Sequence, residues 1–250
     1  GTLVYSNLKS PFAVGEELLG LTSGAKATVS EVSDVTMVYY GANDGMLHAV
    51  RDTNGTEAWG FIPPNQLARL KLMVESTSHQ YYVDSSPKIY LYDVNGNGFI
   101  DDADGDKVIL VSGERKGSTG YFALDVTNPE APVFLWRINQ LSEAASALPP
   151  GALPTKVIPQ LGESWSVPRF GKVKTLVDDT SGTPVFVIGG GYNSFNATGK
   201  AVLVINLLTG QPVKIFENAS AGANINGMNY SIPSEVKTMD SDRNGFLDKL

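Results

Sequence analysis

A proline-led strand pattern that returns four times limits this chain more than any other feature. Short polar stretches ending in proline precede apolar residues at Lys9-Ser10-Pro11-Phe12, Ser85-Ser86-Pro87-Lys88-Ile89, Ser166-Val167-Pro168-Arg169-Phe170 and Ser231-Ile232-Pro233-Ser234-Glu235-Val236. After the first three, an apolar run enters a glycine-bearing turn and a second apolar run follows: 37–41 then 46–50, 108–113 then 121–125, and 185–189 then 201–206. Each second run meets turn chemistry, at Asn54-Gly55, Asn128-Pro129 and Thr209-Gly210, and leads into a further strand at 57–61, 133–136 and 213–216. Four antiparallel strands per unit, repeated along a chain, is the sequence form of a propeller blade. The fold class expected is all-β: a β-propeller of four-stranded antiparallel blades, with about three to four blades in this chain. A β-sandwich with long irregular loops is the alternative reading.

The units exceed the roughly 40–50 residues usual for a blade, so insertions are expected. One is 65–80, where Leu67, Leu70, Leu72 and Met73 have near-helical spacing; the other is 140–163, rich in proline and alanine. Residues 1–250 are read as part of a single propeller domain. Three units and the start of a fourth fall short of a closed ring of about four to eight blades. The chain is therefore expected to be a fragment, its ring completed by a C-terminal continuation or a second polypeptide.

The formal net charge of −7 argues against binding a phosphate backbone, so no nucleic-acid partner is expected. There is no cysteine, which excludes disulfides, thiolate zinc sites and cysteine nucleophiles. No apolar run approaches the roughly 20 residues of a membrane-spanning helix. Much of the acid is concentrated in two short clusters, where a bound cation would offset the self-repulsion.

The first cluster runs Asp93-Val94-Asn95-Gly96-Asn97-Gly98-Phe99-Ile100-Asp101-Asp102-Ala103-Asp104. Asp93, Asn95, Asn97, Asp101 and Asp104 fall at positions 1, 3, 5, 9 and 12, with Gly98 at 6, the spacing of an EF-hand-type calcium loop. Phe99 would offer its carbonyl at position 7, and Ile100 an apolar anchor beneath the loop. Aspartate at position 12 is a shorter arm than glutamate, for which Asp106 would compensate. The flanks read as strands, so this is a calcium loop within a sheet. A solvated acidic hairpin is the bland reading. The second cluster, Asp240-Ser241-Asp242-Arg243-Asn244-Gly245-Phe246-Leu247-Asp248, repeats the pattern through position 9. Its expected ligands are Asp240, Asp242, Asn244, the Phe246 carbonyl and Asp248, and the cofactor expected at both loops is Ca²⁺.

Catalytic signals are thin, and no catalytic or organic-cofactor site is expected. His48 and His79 are the only histidines, too few for a multi-histidine metal site, and His48 reads as a packed or edge strand residue. Gly162-Glu163-Ser164-Trp165-Ser166 departs from a nucleophile elbow at its last position. Gly189-Gly190-Gly191 ends a strand with no helix pattern after it, and Asp84 and Asp125 are isolated carboxylates.

With these residues assembled, the chain resembles the C-terminal propeller domain of the PilY family, the type IV pilus tip-associated adhesins. The phrases that carry the resemblance are 40–49 (Tyr-Gly-Ala-Asn-Asp-Gly-Met-Leu-His-Ala), Val83-Asp84-Ser85-Ser86-Pro87, 120–127 (Gly-Tyr-Phe-Ala-Leu-Asp-Val-Thr), Ser164-Trp165-Ser166-Val167-Pro168 and Gly191-Tyr192-Asn193-Ser194. The resemblance implies export through the periplasm to the cell surface at the pilus tip, with minor pilins and the tip complex as partners, and host or surface ligands besides. It implies a role in pilus assembly, adhesion and control of retraction, without catalysis. It maps the family's propeller calcium loop onto Asp240, Asp242, Asn244, Phe246 and Asp248, and leaves 93–104 as an additional site. The stretch has no Arg-Gly-Asp, so integrin binding is not implied.

Two other readings remain open at this point. A quinoprotein dehydrogenase propeller would place tryptophan four residues after the turn glycine; Trp59 follows Gly55 in this way, whereas Lys214 follows Gly210. A generic calcium-dependent surface-binding module is the other.

Overall fold

The computed structural model describes residues 17–19, 26–28, 35–98, 100–141, 155–175, 181–217 and 227–249. A short hairpin pairs β1 (Glu17–Leu19) with β2 (Lys26–Thr28). Three antiparallel meanders then follow in chain order. The first is β3 (Met37–Gly41), β4 (Leu47–Arg51) and β5 (Glu57–Phe61). The second is β6 (Lys88–Tyr92), β7 (Lys107–Gly113), β8 (Tyr121–Asp125) and β9 (Val133–Asn139), with β10 (Lys156–Val157) added in parallel to β9. The third is β11 (Arg169–Val173), β12 (Thr183–Gly189), β13 (Ala201–Asn206) and β14 (Pro212–Glu217).

The strand grammar of the sequence therefore appears as sheets, in the expected order, but the second sheet departs from a four-stranded antiparallel blade by its fifth, parallel strand β10. The segment 9–12 lies outside the described residues, and among those described the first sheet has three strands. Around the fourth proline there is no named strand among the described residues; Ile232 makes an isolated bridge to Gly191, and Met239 one to Lys249.

Alternation along β7 shows how the sheets stack. Successive strand side chains point to opposite faces. Ile109 and Val111 join Tyr121, Trp136 and Ile138 in a core shared with Phe186, Ile188, Leu203 and Ile205 of the third sheet. Leu110 points the other way, with Phe122 and Leu124, and packs against Leu47, Trp59 and Phe61 of the first sheet. The second sheet is thus buried on both faces between its neighbours, as a propeller blade is.

One device recurs at these junctions. The last strand of each meander crosses a bulge, after Ala49, Ala123 and Val204, and the residues paired with those three are Trp59, Trp136 and Lys214. The Trp59 indole donates to the Pro129 carbonyl of the second sheet at 2.8 Å. The Trp136 indole donates to Leu207 of the third at 2.7 Å and stacks on Phe186 with 4° between the rings. A side chain on Gly210 would begin 2.9 Å from that indole, so glycine is required where it passes. The third sheet carries Lys214 in the corresponding place.

The first insertion forms two single-turn helices, α1 (Pro64–Leu67) and α2 (Leu72–Glu75). It is pinned to the second sheet by Glu114, fully buried, which accepts from Asn65 at 2.8 Å, from Gln66 and from Arg137 at 3.4 Å. Burial drives the Glu114 pKa up, against the opposing pull of Arg137 and the two amides. Of the second insertion, 142–154 lies outside the described residues. Its end enters the core: β10 extends the second sheet, and Ile158 and Leu161 are buried. Among the described residues no helix is long and apolar enough to cross a membrane.

Candidate metal-binding loops

The loop at 240–248 is closed at its base by the Met239–Lys249 bridge. Its turn is set by amides folding back onto side-chain oxygens. Asp240 accepts from the amides of Asn244 (3.1 Å) and Gly245 (2.7 Å), Asp242 accepts from Asn244, and Asn244 Oδ1 accepts from Phe246. Gly245 has φ 88°, a conformation that glycine adopts without steric cost. The result is convergence: carboxylate oxygens of Asp240, Asp242 and Asp248 lie within 4.8 Å of one another. An ion holding oxygens at about 2.3–2.6 Å can span ligands no more than about 5 Å apart, so this spacing fits Ca²⁺. The Ser241 hydroxyl and amide both donate to Asp248 at 2.7 Å and hold its pKa below the usual aspartate value, keeping it anionic.

Two apolar residues fix this loop to the third sheet. Leu247 donates its amide to the Lys172 carbonyl, and its side chain lies 2.6 Å from where a Cβ on Gly171 would sit. Phe246 occupies the space above Gly182, whose Cβ would fall 2.3 Å from the ring, and Lys174 lies over the same ring at 4.6 Å. The bare backbones of Gly171 and Gly182 are therefore the seat on which the loop rests.

The loop at 93–104 folds by the same rule but gathers its acids differently. Asp93 accepts from Gly96 (2.6 Å) and Gly98 (2.7 Å), and the Gly98 amide leads in lowering its pKa. Asn95 donates to Asp104 at 2.8 Å, and Asp101 caps the short 3₁₀ turn Asp102–Asp104 by accepting from Ala103. Phe99, expected to present its carbonyl, lies outside the described residues, and Asn97 donates its amide to Asn95 Oδ1. Asp106 is fully buried and accepts from the amides of Val94 (2.7 Å) and Asp101 (3.0 Å). It ties the two ends of the loop together. Among the described residues, Asp240, Asp242 and Asp248 are the one group of three or more acids or histidines with converging ligand atoms.

Ser164, Asp125, His79 and His48, also singled out in the sequence, have partners. Ser164 is buried, donates to the Ser118 carbonyl and accepts from the Glu114 amide. Asp125 is paired with Lys107 at 2.7 Å. His79 meets the Tyr81 ring edge-on, and His48 is buried, as expected, between two carboxylates. The residue that sequence reasoning missed is Trp136. Counting from a turn glycine cannot find it, because the Asn128-Pro129 turn has none; the two indoles correspond only across the ladder, where Trp59 pairs with Ala49 and Trp136 with Ala123.

Known proteins agree with this architecture. Residues 8–249 match the family model described as the PilY1 beta-propeller domain. The chain is 31% identical over 232 residues to the type IV pilus biogenesis factor PilY1 of Pseudomonas aeruginosa (strain PAO1), covering 90% of this chain and 17% of that protein. It is 31% identical over 223 residues to a PilY1 homolog of Xylella fastidiosa (strain Temecula1), covering 85% of this chain and 13% of that one. The chain thus spans less than a fifth of the length of these relatives. The crystal structure of the P. aeruginosa PilY1 C-terminal domain superposes with a TM-score of 0.53 at 29% identity, over 85% of this chain and 35% of that one. A strand-by-strand repeat, three stacked meanders and a match from residue 8 to residue 249 have one reading: the chain belongs to the PilY1 β-propeller family.

Proposed function

We propose that this chain is a calcium-stabilised, non-catalytic propeller module of a type IV pilus-associated protein, acting by binding at the pilus tip on the cell surface. The observation that carries the calcium reading is the convergence of Asp240, Asp242 and Asp248 within 4.8 Å. The pilus reading is supported by the relatives, which are pilus biogenesis factors by name. Minor pilins and the tip complex are the partners proposed, with assembly, adhesion and control of retraction as the processes served.

Bound Ca²⁺ supplies positive charge at a place where three carboxylates repel one another. The chain's own residues do the rest. Ser241 and the loop amides orient the oxygens, and Phe246 and Leu247 fix the loop to the third sheet. Binding to the folded loop alone stabilises the fold by mass action, about 2.7 kcal/mol at a hundred times Kd. Extracellular modules bind calcium at about 10⁻⁴ to 10⁻³ M, so occupancy would follow the surroundings.

Calorimetric titration tests this. Calcium should bind with measurable heat and raise the melting temperature; Asp240→Ala should abolish one binding event, and Asp93→Ala any second one. A flat titration, with both variants melting like the parent in calcium, would overturn the metal reading and leave the family membership standing.

A further inference from the structure

His48 lies at 8% exposure on β4, with the Tyr40 ring stacked over it at 5.0 Å. Its two ring nitrogens both meet carboxylates: Nε2 lies 2.9 Å from Asp44 Oδ2 in the preceding turn, and Nδ1 lies 2.9 Å from Glu57 Oε1 on β5. A carboxylate can only accept. A neutral imidazole has one N–H and one bare nitrogen, so it can satisfy one carboxylate while its bare nitrogen faces the other with no proton between them. With both carboxylates ionised, two such contacts at 2.9 Å call for the imidazolium, both nitrogens donating.

The turn held by Asp44 carries more than itself. Asp44 Oδ1 accepts from the Met46 amide, and Ala42 donates to the Met46 carbonyl, closing the turn. The same turn receives the buried segment that leads towards the second sheet. Asn43 Oδ1 accepts from the Tyr82 amide and the Ala42 carbonyl from the Val83 amide, and the Tyr82 hydroxyl donates to Arg69 beside α2. Tyr82 and Val83 are fully buried.

We propose that Asp44, His48 and Glu57 form a pH-operated clasp, closed by the imidazolium and opened when the ring loses its proton, which governs the anchorage of the Tyr82–Val83 segment between the first two sheets. Loss of the ring proton breaks one of the two 2.9 Å contacts and frees either β5 or the turn. The charged groups acting on the ring are Glu57 from β5 and Asp44 from the turn, with Tyr40 of β3 stacked on its face. Burial opposes the charge, but the two carboxylates outweigh it and raise the pKa above 6.5. Stability from a raised histidine pKa is fully present below the unfolded value, about 6.5, and is lost as pH climbs through the folded one. The clasp stands apart from the calcium loops, and its test does not depend on them.

The test is an NMR titration of the His48 ring in the intact chain, with amide hydrogen exchange at Tyr82 and Val83. The ring should titrate above 6.5, and exchange at the two amides, corrected for its intrinsic base catalysis, should rise by about tenfold or more across that titration. Glu57→Gln, at a half-exposed side chain, should bring the ring pKa down and shift the exchange midpoint with it, which a purely structural role would not do. His79→Gln should leave both unchanged. Titration of His48 at or below 6.5, or exchange indifferent to it, would overturn the proposal.

Discussion

Glu114 illustrates how much a single buried charge commits a chain to one arrangement. It sits at 0% exposure opposite Arg137 at 1%, with Asn65 and Gln66 both donating to its other oxygen. Removing one partner of such a pair leaves the other buried and uncompensated, at a cost of about 3–5 kcal/mol, whereas replacing both with apolar side chains of similar volume is often neutral. Glu114→Ala should therefore destabilise by about that amount in urea unfolding, and Glu114→Leu with Arg137→Met should recover much of it. A small effect from the single substitution would show that the pair is not held as described. The sequence marked neither residue, because Glu114 stands beside Arg115 and Lys116 like a surface charge and Arg137 stands between Trp136 and Ile138, and neither setting carries a sign of the partner met in space.

At the level of elements, the indole-to-carbonyl bond is what one sheet extends to the next. Trp136→Phe keeps the stack on Phe186 and removes only the donor, leaving the Leu207 carbonyl without it. The expected loss is about 1–3 kcal/mol, read from the urea midpoint at an unchanged slope. Strand order was legible in the sequence because prolines and glycines punctuate it: Gly41, Gly113 and Gly189 end corresponding strands, and at each a Cβ would strike a neighbouring backbone oxygen. The recurrence of tryptophan was less legible. Register is counted across a ladder, and the turn between β8 and β9 is longer than that between β4 and β5. The two acidic loops show the same division. Their position-by-position spacing gave the turn chemistry of both, since Gly98 and Gly245 both lie at positive φ. It could not tell that the acids of one loop converge while Asp106 of the other is drawn inward to two backbone amides.

Taken whole, the molecule is a row of sheets in which the 240–248 loop is seated on the third. Gly182 has φ 70° and lies against the Phe246 ring, so Gly182→Ala should displace the loop without touching a carboxylate. On the calcium reading proposed above, affinity at that loop should fall about tenfold, equivalent to about 1.4 kcal/mol, while any heat from the 93–104 loop stays the same. Unchanged affinity at the 240–248 loop would mean that the seat and the site are independent. The middle sheet carries a different consequence. In β7, Leu110 answers to one neighbouring sheet and Ile109 and Val111 to the other, so adjacent letters hold opposite seams. Adding or deleting one residue there would exchange those allegiances along the rest of the strand and break both seams together. The excursions between strands can be lengthened at small entropic cost, but the central strand cannot change its reading frame without losing both seams.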